Sequence, residues 1–240
     1  MRNIIKITGL LLFTLFPVLD VNAKQEPELL PEYAGGVKIL PQAELFPSTA
    51  RKPDYQKVQQ DYFPTRNEEY IEHLLKLKDS NAKKHLLSSS TGDITDLTVK
   101  HDDIKLAFDY PGPAISSMKT IIGFAPAGTW TEDGWSGIGL IFQNPSIGIC
   151  SYQLDNVKIS GGSIFLAAES VNYRVNNKPT RSRVEGTEGV GFLYKLSWYD
   201  DVFFHDLECA NSKFEKVLIN QLEELAIAID QEESNFSSKN

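Results

Sequence analysis

Apolar positions along this chain change their spacing more than once, and each change marks a different kind of element. From residue 65 the spacing is helical: Tyr70, Ile71, Leu74, Leu75 and Leu77 recur every three or four positions and gather on one face up to about Lys78. Thr65 followed by Glu68 has the spacing of a capping box, in which hydroxyl and carboxylate each satisfy a free N–H of the first turn. After Gly92 the period drops to two. Ile104, Leu106, Phe108 and Tyr110 alternate with Asp103, Lys105, Ala107 and Asp109, which predicts a half-buried strand ended by Pro111-Gly112-Pro113. Further strands are expected over 118–125, 138–142, 147–154, 162–173, 190–199 and 202–209, with turns such as Asn176-Asn177-Lys178-Pro179 between them. Val190, Phe192, Tyr194, Leu196 and Trp198 make the cleanest alternation. From Ser212 the period returns to helical, with Phe214, Val217, Leu218, Leu222, Leu225 and Ile229 in one stripe and Ser212 with Glu215 as a second capping box. The stripe reads as a face that docks on the sheet.

That order predicts an α+β chain, mainly antiparallel β. The expected form is a sandwich, in preference to a barrel, of roughly seven or eight strands with one helix before and one after them. Segment by segment, the reading is a signal peptide over 1–23, a proline-rich extended arm over 24–64, and a helix with its polar linker over 65–92. A β-sandwich domain follows over 93–210, then a docking helix over 211–232 and a disordered tail over 233–240.

The first segment says where the protein goes. Arg2 and Lys6 precede a run from Ile7 to Leu19 that is almost wholly apolar, and Val21-Asn22-Ala23 has the small-residue pattern of a cleavage site. The run is shorter than the roughly 20 residues a membrane-spanning helix needs. An exported chain, periplasmic or extracellular, is expected, with no transmembrane segment in its mature part. The arm carries Pro27, Pro31, Pro41, Pro47, Pro53 and Pro64, a density that opposes regular helix and central strand. Val37, Ile39, Leu40, Leu45 and Phe46 lie between these prolines, which suggests an arm resting on the domain or on a partner.

Charge narrows the partners. Removing residues 1–23 takes away Arg2, Lys6 and Asp20, so 24 basic and 32 acidic side chains become 22 and 31, a net charge of −9 over 217 residues. No cationic excess is left to neutralise phosphates, so nucleic acid is not an expected partner. Only Cys150 and Cys209 are present, and in an oxidising compartment two thiols in one domain pair as a disulfide. That bridge would enclose 58 residues, worth about 4 kcal/mol on the chain-entropy argument. The alternative is a thiol nucleophile, Cys150 meeting His205 through the fold.

No hydrolase elbow, zinc-protease helix or phosphate loop occurs, so no catalytic residue, metal ligand or cofactor is assigned. The four histidines, His73, His85, His101 and His205, are scattered among polar neighbours and read as surface side chains. Two segments stand out as binding candidates. Trp130, Glu132, Asp133 and Trp135 place two indoles and two carboxylates in one loop, the combination that stacks on sugar rings and accepts from their hydroxyls. Arg174, Lys178, Arg181 and Arg183 make a local basic exception around a turn, suited to an acidic partner. The expectation is a non-catalytic exported binding or assembly factor, acting on a protein partner or on itself through its β domain and arm. The alternative is a carbohydrate-binding or carbohydrate-hydrolysing protein that uses the Trp130–Trp135 loop.

Overall fold

Seven strands join in one antiparallel sheet, and helices rather than a second large sheet cover its two faces. The computed structural model describes residues 36–46, 62–65, 67–78, 101–110, 118 and 120–237. The signal peptide, most of the arm, the Ser88–Gly92 linker and the Pro111-Gly112-Pro113 turn lie outside these residues. The described elements are β1 (Gly36–Leu40), α1 (Gln42–Leu45), α2 (Glu68–Lys78), β2 (Thr120–Trp130), β3 (Trp135–Asn144), β4 (Gly148–Asn156), β5 (Ser163–Ala167), β6 (Tyr173–Val175), β7 (Lys178–Thr187), β8 (Gly191–Tyr199), β9 (Phe203–Asn211) and α3 (Lys216–Ser237).

The large sheet runs β2-β3-β4-β9-β8-β7-β6 and does not close, while β1 and β5 form a two-stranded parallel sheet. The expected mainly antiparallel, sandwich-like β fold with a helix before and a helix after the strands is thus what the chain adopts. Among the described residues no helix is long and apolar enough to cross a membrane.

Alternation divides the sheet into two chemistries. On the inner face Phe142, Tyr152, Tyr194, Leu196, Trp198 and Leu207 are all but fully buried. Onto them α3 lays Leu218, Leu222, Leu225 and Ile229, burial worth roughly 1.5–3 kcal/mol for each large side chain. On the outer face α2 sets Ile71 and Leu74 against Ile149, Leu193 and Ala210, covering one end of the sheet. Cys150 and Cys209 sit directly opposite each other on β4 and β9 and are joined by a disulfide, S–S 2.03 Å. The free-thiol alternative is thereby overturned. Gly148 shows why glycine is needed beside this pair: its φ is +130°, and a Cβ there would run into the backbone oxygen of Ala210.

Several local expectations change. Residues 104–110 do not form a strand: a 3-10 turn at His101–Asp103 leads into a single bridge, Leu106 to Trp135. β4 already pairs with β3 from Gly137 onward, so only the Trp135 end of β3 has a free edge to offer. The apolar alternation there is real but serves packing, since Ile104, Leu106 and Phe108 lie against the main core. The expected strand over 162–173 divides into β5, a 3-10 turn over Ala168–Ser170 and β6. A full strand, β7, appears where none is expected, joined to β6 by a two-residue Asn176-Asn177 turn with φ of 45° and 69°.

In the arm, β1 pairs with β5, and one helical turn, α1, follows Pro41, a position where a missing N–H costs nothing. Phe63 adds a one-residue bridge to the free edge of β7, so the described parts of the arm do lie on the domain. Neither capping box forms as spaced. Thr65 Oγ1 accepts from Asn67 N–H at 3.0 Å and α2 begins at Glu68. At α3 the Glu215 N–H donates 2.7 Å to the Tyr194 hydroxyl of β8, which itself donates to Lys213 O. α3 also runs past residue 232 to Ser237, into the segment read as a disordered tail, because the sheet holds Glu233.

Candidate functional site

Each face of the sheet carries one polar cluster. The inner one is mostly buried. At the end of the apolar stripe of α3, Asp230 points into the protein with only 1% of its surface exposed. Its carboxylate accepts from Lys178 Nζ at 2.7 Å, Trp198 Nε1 at 2.9 Å and Asn176 Nδ2 at 3.0 Å. One turn on, Glu233 accepts from Tyr152 Oη at 2.8 Å and Tyr110 Oη at 3.2 Å. His205 of β9 lies between these groups: its Nδ1 is 2.8 Å from Tyr152 Oη and 3.3 Å from Glu233, and its Nε2 is 3.7 Å from Asp200. The ring stacks on Trp198 with centroids 4.7 Å apart. Lys178 also reaches Asp200 at 3.0 Å.

Burial opposes charge on His205, but Asp200 and Glu233 outweigh it and raise the imidazole above its usual range. Burial likewise would raise Asp200, yet the nearby His205 imidazole, hydrogen bonds from the N–H groups of Phe203 and Val202, and the Lys178 ammonium hold it well below the usual carboxylate range. Burial, with Glu233 second, pushes the Tyr110 and Tyr152 phenols up. This cluster is paired within itself beneath α3. Its chemistry is to fix the helix to the sheet, and it meets solvent at a depression of about 440 Å³ beside Asn176, Lys178 and Ser234.

The outer cluster borders an open groove. Beyond the end covered by α2, cross-strand rows run Arg183–Lys195–Glu208–Ser151 and Arg181–Ser197–Asp206–Gln153. Arg183 pairs with Glu185 at 2.8 Å, Lys195 with Glu208, and Ser197 Oγ donates 2.5 Å to Asp206. Burial, then the neighbouring Glu208, pushes the Asp206 carboxyl up to about 6. Next to these rows each cross-strand pair includes a glycine: Gly123 faces Ile141, and Ala125 faces Gly139. The result is a groove of about 190 Å³ floored by Gly123, Ala125 and Gly139 and rimmed by Tyr70, Ser151 and Gln153. Tyr70 projects from α2, 36% exposed, with its hydroxyl 3.2 Å from Ser151 Oγ. Burial, with Glu208 next, raises this phenol. A Cβ at Gly139 would touch its surroundings only at ordinary contact distance, so the floor has spare room.

The residues singled out in the sequence are not gathered into one site: Lys178 joins the inner cluster, Arg181 and Arg183 the outer rows, and the rest lie elsewhere. Trp130 and Trp135 meet edge to face, 5.5 Å apart, at the tip of the β2–β3 hairpin. Trp130 is 54% exposed, but Lys105 Nζ sits 5.9 Å from its ring centre and donates to Glu132 O. Glu132 and Asp133 are both exposed in the connecting turn. The four basic residues separate. Lys178 turns in to Asp230, exposed Arg174 donates to Asn177 O, and Arg181 and Arg183 stand on the outer face. His205 is buried, not a surface side chain. Among the described residues no group of three or more His, Cys, Asp or Glu is placed to hold a metal ion.

Sequence reasoning passed over Tyr70, Ser151, Gln153, Asp206 and Glu208. The available signal was a strand whose second face turns polar after Ile149, at Ser151, Gln153 and Asp155, beside a strand with Gly137 and Gly139 two apart. Glycine inside a strand pattern marks a place where something approaches the backbone closely. Comparison of the chain with protein-family models, with curated proteins and with solved structures finds no match.

Proposed function

We propose that this chain is an exported protein that acts by binding, and that its working surface is the outer-face groove between α2 and strands β2, β3 and β4. One observation carries the reading. The groove presents a floor of small and apolar residues with an exposed phenol, a hydroxyl and a carboxamide at its rim, an open concavity with a few convergent polar groups. The disulfide and the leader support export. The second reading, glycan contact by the Trp130–Trp135 hairpin tip, is favoured by the half-exposed Trp130 ring.

Immobilised mature protein, incubated with an extract of the compartment it is exported to, tests both. The groove reading expects the parent to retain a component that Gly139→Trp, which fills the floor, does not, and that Trp130→Ala still does. Equal retention by parent and Gly139→Trp contradicts it.

A further inference from the structure

We infer that the groove takes an uncharged sugar unit, a single ring of a glycan; this rests on the binding reading above and names its ligand. Charge excludes most other classes. Tyr70, Ser151 and Gln153 are neutral hydrogen-bonding groups, and among the described residues no Lys, Arg, Asp, Glu or His lines the groove. The first charged groups beyond it are carboxylates: Glu208 stands directly across from Ser151, and Asp206 directly across from Gln153. An anionic ligand would meet these two acids first. A cationic one finds them already engaged, Glu208 by Lys195 and Asp206 by the Ser197 hydroxyl, with Arg183 one strand further out.

The surface that remains is amphipathic and flat. Ala125, Gly139 and Ile141 offer an apolar floor with room above it, and Tyr70 gives an aromatic wall. The Gln153 carboxamide has no hydrogen-bond partner among the described residues and presents both a donor and an acceptor. A pyranose has the matching form, one face of C–H groups and a rim of hydroxyls that both donate and accept. Ser151 and Gln153 meet hydroxyls from one side. At about 190 Å³ the space is smaller than the roughly 300–1,000 Å³ of sites for drug-sized molecules, which limits it to about one ring. Affinity for a short oligosaccharide is then expected near the millimolar range.

Saturation-transfer NMR on the mature, oxidised protein reads binding in that range. The probes are short neutral oligomers of α-linked glucose, β-linked glucose and N-acetylglucosamine, with oligogalacturonate as the anionic counterpart. Transfer to at least one neutral oligomer and none to oligogalacturonate is expected. Gly139→Trp should abolish the signal and Gln153→Ala should weaken binding about five-fold through loss of one hydrogen bond, whereas loss of the signal in Trp130→Ala would place the sugar on the hairpin tip and overturn the assignment to the groove. Thermal unfolding of each variant confirms that it is folded. No transfer to any neutral oligomer overturns the sugar assignment, as does transfer that survives Gly139→Trp in a folded variant. The two claims fail separately: an extract component lost on Gly139→Trp, with no sugar bound, keeps the groove and rejects the saccharide.

Discussion

Asp230→Ala removes the acceptor on which three elements converge. Its carboxylate satisfies Trp198 Nε1, Lys178 Nζ and Asn176 Nδ2 in a place almost closed to water. The buried indole N–H would be left without a partner, a cost of about 1–3 kcal/mol. Lys178 keeps Asp200 at 3.0 Å and its side chain is 24% exposed, so its stranded charge is partly relieved. Losing its bond to Asp230 therefore adds about 1.5–3 kcal/mol rather than the full penalty of an isolated buried ion. The sum is about 2.5–6 kcal/mol, a large share of the 5–15 kcal/mol typical of a domain. With a urea slope of about 2 kcal/mol per molar, the midpoint should fall by about 2 M. The assay is urea unfolding of the oxidised protein at pH 7, followed by tryptophan fluorescence. Exposed Glu224→Ala on the same helix is the comparison, expected within about 0.5 kcal/mol of the parent. A loss below about 1 kcal/mol for Asp230→Ala would refute the view that this cluster fastens α3. The helix itself should remain, because burial of Leu218, Leu222, Leu225 and Ile229 is worth more than the cluster.

Three further predictions concern the charged groups and the disulfide pair. His205 has a folded-state pKa above its unfolded value, so its contribution is full below about pH 6.5 and fades as pH rises through the folded value. The stability gap between parent and His205→Asn should therefore be widest near pH 6 and narrow towards pH 9, and a gap independent of pH would count against the assigned partners. Asp206, with a folded pKa of about 6, favours the fold when protonated and burdens it once ionised. Asp206→Asn keeps an acceptor for Ser197 and should raise the melting temperature at pH 8 but not at pH 4; no rise at pH 8 contradicts the assignment. Gly148→Ala drives a Cβ against Ala210 O at a positive φ and should cost about 2 kcal/mol or more in denaturant titration, whereas a neutral outcome would contradict the close approach of β4 to β9.

Periodicity revealed the elements whose two faces differ sharply. β8 was legible because Phe192, Tyr194, Leu196 and Trp198 face the core while Lys195 and Ser197 do not. β7 was not, since Lys178, Arg181, Ser182, Arg183 and Glu185 leave only Thr180 and Val184 as inward signals, and Pro179 opposes a strand. Residues 104–110 show the converse: alternation records which side chains face the core, not whether a neighbouring backbone edge is free. The helix starts were read as local capping boxes, but at α3 the cap comes from Tyr194, 21 residues away, which no local spacing reveals. The disulfide followed from compartment and count alone. The inner cluster left a trace in hindsight, as Asp230 and Glu233 continue the buried stripe of α3 beyond Ile229. The groove left less, because its rim comes from α2 and β4 and only the sheet register brings Ser151 and Gln153 beside Gly139 and opposite Glu208 and Asp206.

Amide-resolved NMR of the mature, oxidised protein, titrated with the component it retains from extract or with a neutral oligosaccharide, reads the binding surface directly. Shifts should concentrate at Tyr70, Gly123, Ala125, Gly139, Ser151 and Gln153, with α3 and the β2–β3 hairpin tip unmoved. Shifts confined to Trp130–Trp135 or to α3, with the groove silent, would contradict the placement of function on the outer face.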